Sequence, residues 1–424
     1  MTRAGALAAV IAAGTLGMGA VSAHAAGAVQ STLTSFARAN PGVSALVWRL
    51  DQGGPVAVAR ITPDTPRIPA SNMKMITAAG ALLQLGPDFR FTTRVATSAS
   101  ARLSGGTLTG PLYLIGAGDP LLATRAYAAN FLPGARSTPM VDLVKPLKRA
   151  GIRKVRGDVI ADESLFDARR MGPTWPSYYS SYAQPLSALA SNQNYADDRR
   201  GSYASQPWRT SARRLVSSLK GVGVSHTGRI RHGSTPAATR VLAATTSPPL
   251  RRAVREMNVP SDNFIAEMLT KTTGVYGRGQ GTTAAGTGRT AELLRHQGIL
   301  SRRDRLVDGS GLSRSNRLTA TTLVRLVAAA DADPSWGRAF IASLPKGGEG
   351  TLVNRMRTGV ATNRVRAKTG YIDGVSSLSG RVVSRSGTHY AFSMLMNTND
   401  ITGAKATQDR VVTPLARGSE DARR

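Results

Sequence analysis

Ser71-Asn72-Met73-Lys74 sets a hydroxyl and a primary amine three residues apart. On a helix that spacing brings both onto one face. A free serine is a poor nucleophile until a base removes its proton, and a lysine can be that base only if burial or a nearby cation lowers its pKa. Ser261-Asp262-Asn263 follows Pro260 and opens the helical pattern Phe264, Ile265, Met268, Leu269. Lys368-Thr369-Gly370 closes a predicted strand with a cation and a hydroxyl suited to hold a carboxylate. Each cluster also has a plainer reading. Ser71 suits a capping serine with Lys74 reaching to the surface. Ser261 to Asn263 suit a helix cap, with Glu267 and Lys271 as an i,i+4 pair. Lys368 to Gly370 suit a strand that simply ends in a turn.

The elements around these residues bear on these readings. Asn72 to Leu85 is apolar on nearly all sides and stops at Gly86-Pro87, the pattern of a buried helix, so Lys74 is enclosed. Val43 to Leu50, Asp51-Gln52-Gly53-Gly54 and Pro55 to Ala59 form a predicted β-hairpin. Near the far end, Arg364 to Lys368, Val375 to Ser384 and His389 to Met396 are predicted strands, preceded by a helix over Thr319 to Ala330. The segment 88–243 differs in character, with short strands, Gly-rich turns and the Tyr/Ser-rich patch Pro176 to Tyr182. It is expected to be an insertion whose ends lie close together.

Composition removes whole classes of function. The 424 residues contain no cysteine, which excludes disulfides, thiol nucleophiles and cysteine metal sites. The length exceeds one ordinary core, so more than one domain is expected. No Gly-x-Ser-x-Gly and no His-Glu-x-x-His occurs, which argues against a Ser-His-Asp hydrolase and a zinc peptidase. Nothing points to a cofactor or a metal. The formal charge is +30, carried by 46 arginines and nine lysines spread along the chain. With aromatic content of 5% and no aromatic interleaving, the charge does not suggest nucleic acid; it either records a solvated, Arg-biased surface or fits attraction to an anionic polymer or membrane surface. Arg3, an uncharged run to Val21 and Ala23-His24-Ala25 have the pattern of a secretory signal over residues 1–25. The mature protein is then exported to the periplasm, wall or medium, with no transmembrane anchor after cleavage.

Together the three clusters resemble the Ser-x-x-Lys, Ser-Asp-Asn and Lys-Thr-Gly elements of the penicillin-binding protein and serine β-lactamase superfamily. Ser261 lies 187 residues after Lys74 (261 − 74), far beyond the class A β-lactamase spacing. No Glu-x-x-Leu-Asn element is present either. The chain is most similar in pattern to class C low-molecular-mass penicillin-binding proteins, the D-alanyl-D-alanine carboxypeptidase/endopeptidase family. Gly116 to Pro120, Gly157 to Asp162, Ser247 to Leu250, Asp308 to Arg314, Gly350 to Leu352 and Arg355 extend the likeness over most of the chain. The resemblance implies an antiparallel sheet flanked by helices, formed by residues 26–87 and 244–424. The mostly β insertion 88–243 then holds one or two extra domains, one nested in the other.

It further implies peptidoglycan stem peptides as substrates and β-lactams as covalent inhibitors. Ser71 is then the nucleophile, Lys74 the general base and Ser261 a proton relay. Asn263 binds the substrate amide and orients Lys74, and Lys368 and Thr369 bind the terminal carboxylate. Lys368 also depresses Lys74. Tyr371, just after Gly370, supplies an oxyanion N–H together with Ser71. Asp119 is expected either to meet the amine of the third stem residue or to serve its own turn. The alternatives are a serine β-lactamase and, lower, a non-catalytic wall-binding protein.

Overall fold

The computed structural model describes residues 23–418 apart from Gln52 and Ala135. Most of the signal sequence expected over residues 1–25 therefore lies outside the described residues, which begin with a helix over Ala23–Ala39.

The main sheet has five antiparallel strands in the order Val365–Ile372, Val375–Val383, His389–Asn397, Val43–Asp51, Gly54–Ile61. Strands from opposite ends of the sequence meet at its centre, with Val43 opposite Met396 and Leu50 opposite His389. Alternation sorts the side chains between two cores. Val43, Ala45 and Val47 join Phe392, Met394 and Met396 beneath the Ala23–Ala39 and Ile401–Arg417 helices. Leu46, Ala391 and Leu395 face the helical side, where Met73–Leu85 is packed among Leu250–Asn258, Asn263–Arg278, Thr283–His296, Ala320–Ala332 and Pro334–Ser343.

The apolar character of residues 73–82 has its counterpart in complete burial: every residue from Met73 to Leu82 is enclosed. Fully burying each of the larger apolar side chains there contributes about 1.5–3 kcal/mol. Gly80 is needed for close approach, because a Cβ there would lie 2.4 Å from Thr290 Oγ1 on the neighbouring helix.

Between these halves, Thr92–Ser98 and Thr239–Thr246 pair antiparallel with Thr92 opposite Thr246, so the chain leaves and returns at adjacent points. They belong to a five-stranded sheet completed by Leu112–Ile115, Val159–Asp162 and Ile230–His232. A four-stranded sheet of Ser225–Thr227, Lys154–Arg156, Thr107–Thr109 and Arg102–Ser104 adjoins it. Leu108 and Val155 of the smaller sheet share one apolar core with Val95, Leu114 and Val159 of the larger and with Leu215 and Leu219 of the Pro207–Gly221 helix.

Candidate active site

Ser71 stands in a 3-10 turn, Ala70–Asn72, that leads into the Met73–Leu85 helix. Neither element is capped by a side chain, so the Ser71 hydroxyl is not spent on the helix end. Ala70 holds a left-handed conformation, φ 47°, immediately before Ser71. Gly311 abuts it so closely that a Cβ there would sit 1.9 Å from the Ala70 carbonyl oxygen.

One turn into the helix, Lys74 Nζ lies 3.0 Å from Ser71 Oγ. It also donates to Asn263 Oδ1 at 2.7 Å and to the Ser310 carbonyl at 2.7 Å. The lysine is fully buried, and burial pulls its pKa from 10.5 down to about 8, against the opposing pull of Asp308, Asp262 and Glu267. A surface-reaching lysine is thereby excluded. Its amine reaches the neutral form near ordinary pH, which is what a base for Ser71 requires.

Asn263 begins the Asn263–Arg278 helix, and Asp262 caps it by accepting from the Ile265 N–H at 2.8 Å. The cap reading is met by Asp262, while Asn263 lies against Lys74. Asn263 Nδ2 donates to the Tyr182 carbonyl at 2.8 Å, so its donor, expected to meet substrate, is engaged by the inserted segment. Ser261 has φ 63°, and its side chain forms no hydrogen bond among the described residues. The Glu267–Lys271 pair does not form. Lys271 pairs with Asp167, while Glu267 turns inward to the loop described below.

The Val365–Ile372 strand runs through Lys368-Thr369-Gly370 and two residues beyond, correcting the expectation that these residues close it. Asn72 Nδ2 donates to the Lys368 carbonyl at 3.0 Å, tying the strand to the Ser71 turn. A Cβ at Gly370 would lie 3.0 Å from Ser71 N and 2.1 Å from Ser377 Oγ, so only glycine permits this approach. Lys368 is fully buried and donates to the Thr369 carbonyl at 2.8 Å. Burial, then repulsion from Lys74, holds its pKa well below the usual value. Burial is the first cause for both lysines, and the repulsion between the two buried cations is mutual, disfavouring charge on each. Thr369 Oγ1 is 2.7 Å from Thr351 Oγ1, and Tyr371 is 59% exposed beside Lys405.

Three contributors escaped the sequence reading. The buried Glu267 Oε1 accepts from the Gly309 and Ser310 N–H groups at 3.0 and 2.8 Å, and so places the Ser310 carbonyl on Lys74. Asp308 accepts from Gly311 N, Ser313 N, Asn316 Nδ2 and, from the insertion, Trp175 Nε1 at 2.8 Å. Thr174 Oγ1 meets Ser313 Oγ at 2.6 Å, so Thr174, Trp175 and Tyr182 bring the inserted segment to the edge of the site. Asp308 to Arg314 stood out as a sequence motif, but nothing in it indicated a partner. Asp119 is not brought to this group. It is 2% exposed, and its Oδ1 accepts from the Leu121 N–H at 2.9 Å within its own turn, with Thr138 beside its carboxyl.

Burial, then the neighbouring Asp308, pushes the Glu267 carboxyl from 4.5 up to about 8. A carboxyl whose folded pKa is raised stabilises the fold fully below its unfolded value, and that contribution is lost as pH rises through the folded value. Glu267→Gln keeps the acceptor and removes the titration. The melting temperature of the variant minus that of the native protein is therefore expected to become more positive as pH rises from about 4.5 to about 8. A pH-independent difference in thermal melts would contradict the protonated state of Glu267.

A serine hydroxyl against a buried lysine, an amide on that lysine and a lysine-bearing strand against the serine's turn form the arrangement of a serine–lysine acyl-transfer enzyme of the penicillin-binding type. The chain matches the D-Ala-D-Ala carboxypeptidase 3 (S13) family over residues 28–200 and 201–417 and belongs to it. It is a serine carboxypeptidase, a hydrolase. It is 32% identical to the D-alanyl-D-alanine carboxypeptidase of Actinomadura sp. (strain R39), over 82% of this chain and 77% of that one. The crystal structure of penicillin-binding protein 4 (dacB) from Haemophilus influenzae superposes with a TM-score of 0.77 at 21% identity, covering 91% of this chain and 99% of the other. The same protein complexed with a β-lactam gives a TM-score of 0.70 at 22% identity, with the same coverage of both chains.

Proposed function

We propose that Ser71 attacks the carbonyl of the penultimate D-alanine of a peptidoglycan stem while neutral Lys74 takes its proton. The observation that carries this reading is the 3.0 Å contact of a lysine shifted to about 8 with the serine hydroxyl. The carbonyl oxygen, turning anionic, is held by the backbone N–H groups of Ser71 and Tyr371. The C–N bond then breaks, the proton taken by Lys74 passes through Ser261 to the departing D-alanine, and water hydrolyses the serine ester, one of its protons returning to Ser71. Lys368 and Thr369 hold the terminal carboxylate, whose negative charge restores the protonated form of Lys368 that burial disfavours. A β-lactam enters the same path and leaves an acyl group on Ser71. Residues 26–87 and 244–424 act as the catalytic domain around the insertion 88–243, and residues 1–25 direct export. No helix among the described residues is long and apolar enough to cross a membrane. The +30 charge supports attraction to anionic wall polymers that weakens with salt.

The test is a peptide ending in D-Ala-D-Ala together with a fluorescent penicillin. Release of D-alanine and one long-lived covalent band are expected. Fast turnover of a chromogenic cephalosporin without D-alanine release would instead establish a β-lactamase.

A further inference from the structure

Two cavities flank the start of the Val365–Ile372 strand and share Arg366 and Ala342 in their walls. One, of about 610 Å³, lies against the Pro334–Ser343 helix and is lined by Arg338, Arg364 and Arg381 besides Arg366. The other, of about 600 Å³, lies against the Leu250–Asn258 helix and is lined by Arg90, Arg251, Arg252, Arg255 and Lys346. Asp331 is the single carboxylate in either lining. It is engaged by Arg381 and His389, each at 2.7 Å. From the flanks, Asp88 pairs with Arg251 and Glu349 with Arg255.

The other six cations have no carboxylate partner among the described residues. Arg366, in the shared wall, feels both groups. Its pKa is lowered first by burial; Arg255 from one cavity and Arg381 from the other add repulsion, which Glu349 opposes. Such a concentration of like charge against protein walls calls for an external anion. Guanidinium groups suit phosphate, which they hold bidentately. Two cavities that share a wall are too large together for a single phosphate, and no Phe, Tyr or Trp lines either, while His389 is held by Asp331, so the stacking platforms usual for nucleic-acid bases are lacking.

We propose that the two cavities form one basic trough that binds a linear phosphodiester polymer without bases, seating the enzyme beside its substrate. The trough adjoins the active site, since Arg366 precedes Lys368 by two residues and so faces the same side of the strand. It serves attachment, independent of the acyl-transfer chemistry.

Arg252, Arg338 and Lys346 make no side-chain hydrogen bond or ion pair among the described residues and are the positions to change. Binding of poly(glycerol phosphate) is measured by calorimetry across a salt series, for the native protein, for Arg252→Ala/Arg338→Ala/Lys346→Ala, and for the exposed control Arg213→Ala/Arg240→Ala/Arg302→Ala. The trough variant is expected to bind about 10-fold or more weakly with a shallower salt dependence, and the control to change less than about 2-fold. D-alanine release from a short peptide stays unchanged in both, which separates this result from any failure of the catalytic reading. The variant Arg252→Lys/Arg338→Lys/Lys346→Arg keeps the charges and should retain most of the affinity, guarding against misfolding as the cause. Equal losses in the trough and control variants would overturn the proposal. Competition by poly-L-glutamate at equal strength would overturn the phosphodiester assignment.

Discussion

Ser71→Ala is expected to abolish covalent labelling by a fluorescent penicillin and to lower D-alanine release by about 10⁴-fold or more, the scale on which serine hydrolases depend on their nucleophile. The structure separates this effect from one on stability. The Ser71 hydroxyl caps no helix, and its hydrogen bond comes from Lys74, which keeps Asn263 Oδ1 and the Ser310 carbonyl when the hydroxyl is gone. The thermal midpoint should therefore barely move. A labelled band that persists in the variant would place the nucleophile elsewhere.

Lys74→Ala should slow acylation by about 10³-fold, within the range of a lost general base. The working form of the lysine is the neutral one, and its pKa lies near 8 in the fold against 10.5 outside it. Acylation by the native enzyme is therefore expected to rise about tenfold per pH unit below about 8 and to level above it, while the residual rate of the variant lacks that rise. The effect on stability runs through the same shift. A lowered folded pKa means that stability increases as pH rises from about 8 to about 10.5 and is lost again as pH falls back through about 8. Below that window the native lysine carries a cost the alanine lacks, which offsets the unpaired Asn263 and Ser310 acceptors it leaves. A variant that is folded but fails to acylate is the expected outcome. A pH profile identical in native protein and variant would remove Lys74 from the base role.

Much of this site could be read from the sequence because its signals are local. A hydroxyl and an amine three residues apart on an apolar helix require no knowledge of the rest of the chain, and the hairpin at Val43 to Ala59 follows from alternation and turn residues alone. The errors share one origin. Periodicity places a side chain on a face without naming what it meets there. Glu267 and Lys271 have the spacing of a surface pair, yet both are fully buried and each finds a distant partner, Gly309–Ser310 and Asp167. The strand through Lys368 outlasts its sequence signal because Tyr371 and Ile372 pair with Ser376 and Val375 across a tight turn. Trp175 and Tyr182 lie in a segment with no periodicity, and their contacts with Asp308 and Asn263 cross from the insertion to the helices.

The junction of early and late strands has a temporal consequence. The bond from Asn72 to the Lys368 carbonyl spans 296 residues, and the central strand pair joins Val43–Asp51 to His389–Asn397. A chain emerging from its N-terminus first carries Ser71 and Lys74 long before the backbone that completes their surroundings exists. Such distant pairings are slow to close and leave sheet edges uncovered in the interim. Synthesis to the last strand therefore sets the moment at which this enzyme becomes reactive. A chain interrupted between Lys74 and the His389–Asn397 strand holds the serine and the lysine without the sheet that completes their surroundings.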